Sequence, residues 1–228
     1  MQPQLNAAQP SKQLLRRSIA VALAVPGIGV GVAFYRMAVL GMDTFQVLLG
    51  GIDAIFPGVP FGLLWLLTTL VMLLVPVFMK RKLIGLGTLF NMVVVGYATE
   101  FSHLFLVQTF PDSSIFLRAL WLVIGVLVIA ISIAFFIAAD LGVSAYDAIT
   151  LIISERNPRL KFKVWRIICD CTCLVVGIAL FLLSGRSRAE LFTLAGIGTL
   201  VAAVGMGPLI AFFREKLARP AIYGQAKS

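Results

Sequence analysis

Six apolar runs dominate this 228-residue chain, at about 19–40, 61–79, 83–107, 115–139, 167–183 and 191–213. A hydrocarbon core ~30 Å thick is crossed by ~20 apolar residues at ~1.5 Å rise each. Every run is close to that length or beyond it, so the chain is expected to be an all-α, polytopic membrane protein. Hydrophobic residues make up 60% of the chain and charged residues only 13%, too few to cover a water-soluble surface. Alternating strand patterns are absent, which excludes a β-barrel reading. The first run, preceded by Lys12, Arg16 and Arg17, exceeds a signal-peptide core and is expected to stay as an anchor.

Two shorter segments, 44–56 and 145–155, follow the first and fourth runs. They are too short to cross and should lie at the interface or dip in as half-helices packed against protein. Each half of the chain then reads long, short, long, long. Leu40-Gly41 and Leu141-Gly142 share an offset of 101, as do Phe61 and Phe162. Gly85-Leu86-Gly87-Thr88-Leu89 is echoed 111 positions later by Gly196-Ile197-Gly198-Thr199-Leu200. This pattern predicts an internal duplication. The expected layout is a polar, basic tail over 1–17, repeats over 18–110 and 111–213, and a basic tail over 214–228.

The formal charge of +9 resides in stretches between the runs, which fits topology-setting loops rather than a nucleic-acid surface. With six spans and a cytoplasmic N-terminus, fifteen Lys and Arg fall inside and four outside. Three crossings per half invert the second half relative to the first, a plan recurrent among secondary transporters. Eight crossings would instead give parallel halves, with thirteen inside and six outside.

Asp43-Thr44-Phe45-Gln46 and Ser144-Ala145-Tyr146-Asp147 have capping-box spacing at the starts of the short helices. Gln46 and Asp147 read either as cap partners or as ligands of a midplane site. Gly41 and Gly142 suit the left-handed residue that ends the preceding helix. Gln46, Gly50 and Asp53 share one face of the first short helix, as Asp147, Thr150 and Ser154 do on the second. Gly87-Thr88 and Gly198-Thr199 read as close-packing and cap residues, or as an anion cradle.

Ionisable groups inside the runs are costly and point to function. Glu100 and His103 lie on one face, with Arg36 the expected partner of Glu100. Arg166 and Asp170 are spaced for an intrahelical pair, which Asp140 could join. Cys169, Cys171 and Cys173 do not share one helical face, so no metal site is expected; nor is a cofactor or an enzyme motif. Gly142-Val143-Ser144-Ala145 with the lone His103 offers an intramembrane serine protease reading, although Ser144 is better placed as a cap.

These pieces resemble the YczE/YitT group of bacterial membrane proteins. The resemblance rests on Gly85 through Asn91 to Gly96 and Glu100, on Leu141-Gly142 with Tyr146-Asp147-Ala148, on Arg166 and Asp170, and on Gly198-Thr199 with Gly207-Pro208-Leu209-Ile210. Where the group has Pro-Trp-Asp in its first half, this chain has Thr44-Phe45-Gln46, so any role of that carboxylate falls to Asp147. The resemblance implies a bacterial inner membrane. The expected function is a permease-like carrier of a small solute or ion, and the rival is a non-transporting accessory protein. Expected partners are the lipid bilayer, the solute or ion, and a second copy or another membrane protein.

Overall fold

The computed structural model describes residues 10–111, 114–160, 162–187 and 190–224. Lys161, Arg188 and Lys227, counted above for topology, and the outermost parts of both tails lie outside these. The elements are α1 (Pro10–Ala38), α2 (Thr44–Ile55), α3 (Phe61–Met79), α4 (Leu86–Thr109), α5 (Ile115–Ala139), α6 (Ala145–Arg156), α7 (Phe162–Leu183), α8 (Leu191–Leu194), α9 (Ile197–Phe213) and α10 (Arg219–Tyr223). Among the described residues there is no strand. Six helical stretches are long and apolar enough to span a membrane. Phe78, Leu86 and Phe116 stand 78%, 81% and 79% exposed. Such a belt is a liability in water and neutral in lipid, so the outer surface is built for a bilayer.

α1 and α5 form the spine, with α4 packed on α1 and α9 on α5. The two spine helices approach closely because small residues line their contact. A Cβ on Gly31 would meet Ile129, and one on Gly125 would meet the Gly31 carbonyl and Tyr35. Arg17, near the start of α1, donates to the Ala139 and Asp140 carbonyls at the end of α5. Nineteen residues further on, Arg36 lies over the Phe61 ring at the start of α3. At ~1.5 Å per residue the Arg17 end and the Arg36 end are separated by ~28 Å, close to the hydrocarbon thickness.

The short helices α2 and α6 have 12 residues each, ~18 Å of helix, so neither crosses. α2 packs mainly on α7, and α6 on α3, so each is covered by a helix from the other half of the chain. Their N-termini approach each other, with the Phe45 and Tyr146 rings 5.7 Å apart. From there they diverge. α2 carries Asp53 to Arg186 (3.8 Å), and α6 carries Glu155 to Lys80 (2.5 Å), just beyond the end of α3.

The turns that lead into the short helices lock in a reciprocal way. The Leu40 carbonyl accepts from Gly198 N (2.6 Å), while Met42 N donates to the Leu194 carbonyl (2.9 Å). Likewise the Leu141 carbonyl accepts from Gly87 N (2.9 Å), while Val143 N donates to the Leu83 carbonyl (3.3 Å). Backbone groups that leave a helix inside a membrane need protein partners of this kind. Gly41 (φ +104°) and Gly142 (φ +122°) are held in the left-handed region, and a Cβ on either would strike the facing glycine backbone.

The last run departs from its expected extent. Ala195 and Gly196 break it after α8, and the helix continues past 213 through a π turn (Arg214–Ala218) into α10. The stretch expected as a tail from 214 is therefore helical as far as Tyr223, whose hydroxyl donates to the Ala138 carbonyl (2.9 Å).

Candidate functional site

The convergence of the two short helices builds a polar cluster. Asp43 starts α2, its carboxylate accepting from the N–H groups of Phe45 and Gln46 (both 3.1 Å) and from the Gln46 amide. Ser144 starts α6, its hydroxyl accepting from Asp147 N (3.1 Å) and donating to Asp147 Oδ2 (2.7 Å). The third helical residue thus reaches the cap side chain rather than the cap N–H that a capping box would use. Both starts leave the positive pole of a helix pointing into the cluster.

α7 supplies the charges. Arg166 Nη1 is paired with Asp147 Oδ1, and Arg166 Nε lies 3.4 Å from Asp170 Oδ2, the expected one-turn pair. Asp170 Oδ1 also accepts from the Tyr146 hydroxyl (2.5 Å) and the Thr44 hydroxyl (2.9 Å). One carboxylate of α7 therefore binds the first residue of α2 and the second of α6. The Arg166 guanidinium stands 4.6 Å from the Tyr146 ring centroid. Asp147, Arg166 and Asp170 are 31%, 37% and 30% exposed, so the cluster is reachable rather than sealed. With Asp43 it holds three carboxylates against one guanidinium, and the two helix poles offset part of the excess negative charge. Such a group presents partly exposed carboxylate oxygens beside a guanidinium, a charged cluster that is costly to hold among apolar helices.

The other expected residues lie elsewhere. Glu100 does not pair with Arg36: its Oε2 accepts from Gly62 N at 2.9 Å, capping the start of α3. Arg36 keeps Glu100, Asp53 and His103 only within its longer-range field. Asp140 does not join Arg166 and Asp170. It ends α5 in a left-handed conformation (φ +52°) and pairs with Arg17 at 3.4 Å. Ser144 is committed to its helix start, whereas His103 lies towards the Arg36 end of α4. The Gly-x-Gly-Thr motifs serve packing and capping. Gly87 N and Gly198 N are spent on carbonyls, the Thr88 hydroxyl donates to the Val143 carbonyl (2.7 Å), and Thr88 and Thr199 accept from Gly85 N and Gly196 N (3.2 Å each). Those two N–H groups are not available to cradle an anion.

Thr44, Tyr146, Lys80, Glu155 and Arg186 were not singled out from the sequence. For Thr44 and Tyr146 the available signal was their place in the cap segments. For Lys80 and Arg186 there was only charge next to a run, and for Glu155 only charge at the end of a short segment. Among the described residues, no group of three or more His, Cys, Asp or Glu could hold a metal.

No solved structure matches this chain. An uncharacterized protein of Haemophilus influenzae is 29% identical over 198 residues, covering 87% of this chain and 82% of that protein. Residues 15–215 match the profile of a family of unknown function, which takes in both short helices, the Asp147–Arg166–Asp170 cluster and both interlocked turns. The chain belongs to that family, DUF6198.

Proposed function

We propose that this protein is a permease-like carrier of a small solute or ion, resident in the bacterial inner membrane with both termini cytoplasmic. In this reading it is a duplicated unit whose second copy is inverted, as the YczE/YitT-like motif pieces suggest. One observation carries the proposal: two half-length helices meet head to head at the Asp147–Arg166–Asp170 cluster and then run towards opposite ends. Half-helices of this kind, with charged groups where they meet, are how secondary transporters build a midplane site.

The ion pairs at the two ends suit alternating access. Each joins the far end of a short helix to the chain just after a long helix of the other half: Glu155 to Lys80 at the Arg17 end, Asp53 to Arg186 at the Arg36 end. A carrier needs such ties to break one at a time. The reciprocal backbone locks at Leu40–Gly198 and Leu141–Gly87 supply fixed points about which the halves rock.

The test is flux. Purified protein is screened by thermal shift against metabolites and ions, and hits are followed in proteoliposomes. Asp147→Asn and Asp170→Asn should each abolish flux while the protein stays folded; full flux in both would end the proposal. A second reading, an accessory protein that docks on another membrane component, is supported by α9. α3 and α4 pack closely, whereas α7 and α9 barely touch, and Gly205 and Gly207 have open space beside them. A stable partner co-purifying from native membranes, with no solute shifting the melting curve, would favour that reading.

A further inference from the structure

Towards the Arg36 end, a cavity of about 140 Å³ opens between α1, α2 and the segment that joins α7 to α9. Among the described residues, two guanidinium groups, Arg36 and Arg186, and two carboxylates, Asp53 and Glu190, border it. Asp53 and Arg186 stand 3.8 Å apart, beyond hydrogen-bond length, so neither is saturated by the other. Among the described residues, no carboxylate oxygen lies within ion-pair distance of Arg36. Its guanidinium lies 4.2 Å from the Phe61 ring centroid, and this face-on contact leaves its in-plane N–H donors unspent.

An acceptor on the same wall is also unspent. Gln46 is 1% exposed, and its Oε1 is buried without a partner. The amide orientation follows from its surroundings: the Asp43 carboxylate takes the NH₂ group, which leaves the oxygen without a donor. A buried acceptor in this condition is stabilised by any donor that reaches it. That oxygen is closed off from the cavity, so the cavity itself presents unspent cationic donors and two carboxylates, with Leu49, Phe181 and Leu194 as its apolar wall.

We propose that this cavity binds a small amino-acid-type zwitterion, its carboxylate on Arg36 and its ammonium on Asp53 and Glu190. The balance of charge selects the class. A lone anion would sit against two carboxylates and a lone cation against two guanidinium groups, whereas a zwitterion satisfies both signs. Size sets the limit: ~150 Å³ holds a guest of about six heavy atoms, the scale of glycine, alanine or serine. The site gives the carrier proposed above a substrate class, and its binding step stands independently of transport.

Titration calorimetry on the full-length protein in nanodiscs, with glycine, L-alanine and L-serine against acetate and methylamine, tests it. Saturable binding of at least one zwitterion is expected, with the single-charge probes at least tenfold weaker. Arg36→Gln should weaken binding about tenfold or more, the loss of a charge-assisted bond, and Arg81→Gln at the opposite end should not. If Arg36→Gln does not fold, Glu190→Gln on the exposed segment must still weaken the zwitterion. No binding by any zwitterion, equal binding of acetate or methylamine, or unchanged affinity in the folded variants overturns the site. Proteoliposome flux separates the two proposals. Binding without flux keeps the site and removes the carrier. Flux of another solute, with none of the three zwitterions bound in calorimetry, keeps the carrier and removes the site.

Discussion

If the two end pairs act as alternate ties, cutting one must expose one end and close the other. The Lys80–Glu155 pair is 2.5 Å long, its partners 36% and 52% exposed; the Asp53–Arg186 pair is 3.8 Å long, its partners 43% and 37% exposed. Ion pairs this wet contribute ~0–1 kcal/mol. At the upper limit, Glu155→Gln shifts the two-state population about fivefold towards opening at the Arg17 end. The longer pair contributes less, so Arg186→Gln should shift it about twofold the other way. The assay replaces Cys169, Cys171 and Cys173 by Ala and places one reporter cysteine at Ser154 or at Thr193. A membrane-impermeant maleimide then labels oriented vesicles from each side. Glu155→Gln should speed labelling at position 154 and slow it at position 193, and Arg186→Gln should do the reverse. The distant response is decisive, because a local effect of Glu155 cannot reach Thr193. Both sites changing in the same direction, or position 193 ignoring the loss of Glu155, would refute the reasoning.

Three further outcomes are expected. Gly177→Ala should destabilise by ~1–3 kcal/mol in a thermal or SDS unfolding series, because its Cβ would stand 2.4 Å from the Val47 carbonyl oxygen where α7 crosses α2. Val39→Asn should stabilise by ~1 kcal/mol in the same series, since Val39 is a β-branched residue held at φ +54° while Asn tolerates that region. Arg166→Met strands Asp147 and Asp170, and should cost less than the ~3–5 kcal/mol of a fully buried pair because all three groups are about a third exposed. Asp147→Asn added to Arg166→Met should recover part of that loss, and a double-mutant cycle reads the coupling.

Much that depends on local spacing was legible in the sequence, although the capping-box spacing gave side-chain bonds in place of the bond to the cap N–H. Run lengths gave the spanning helices, Asp43 and Ser144 marked the short-helix starts, and the one-turn separation of Arg166 and Asp170 gave their pair. The partners of Asp170 across the chain were not legible. Thr44 lies 126 positions away, and nothing in its neighbourhood says that α2 docks on α7. Glu100 shows the same limit from the other side. Its charge suggested Arg36, yet the unsatisfied N–H of Gly62 at the start of α3 lies nearer, and a helix start inside a membrane has no water to serve it. The break at Gly196 was hidden because hydropathy measures greasiness and not continuity. It serves the Leu40 carbonyl, a need that arises only once the chain has folded.

The lock between Leu40 and Gly198 also bears on biogenesis. The two residues are 158 positions apart, so at ~5–20 residues per second the ribosome delivers the donor roughly 8–30 s after the acceptor. Throughout that interval the first turn is inserted with a carbonyl that has no protein partner. Such a nascent segment has to wait beside the insertion machinery or an assisting protein. A chain truncated before α9 should accordingly be cleared by membrane proteolysis rather than accumulate as a stable fragment.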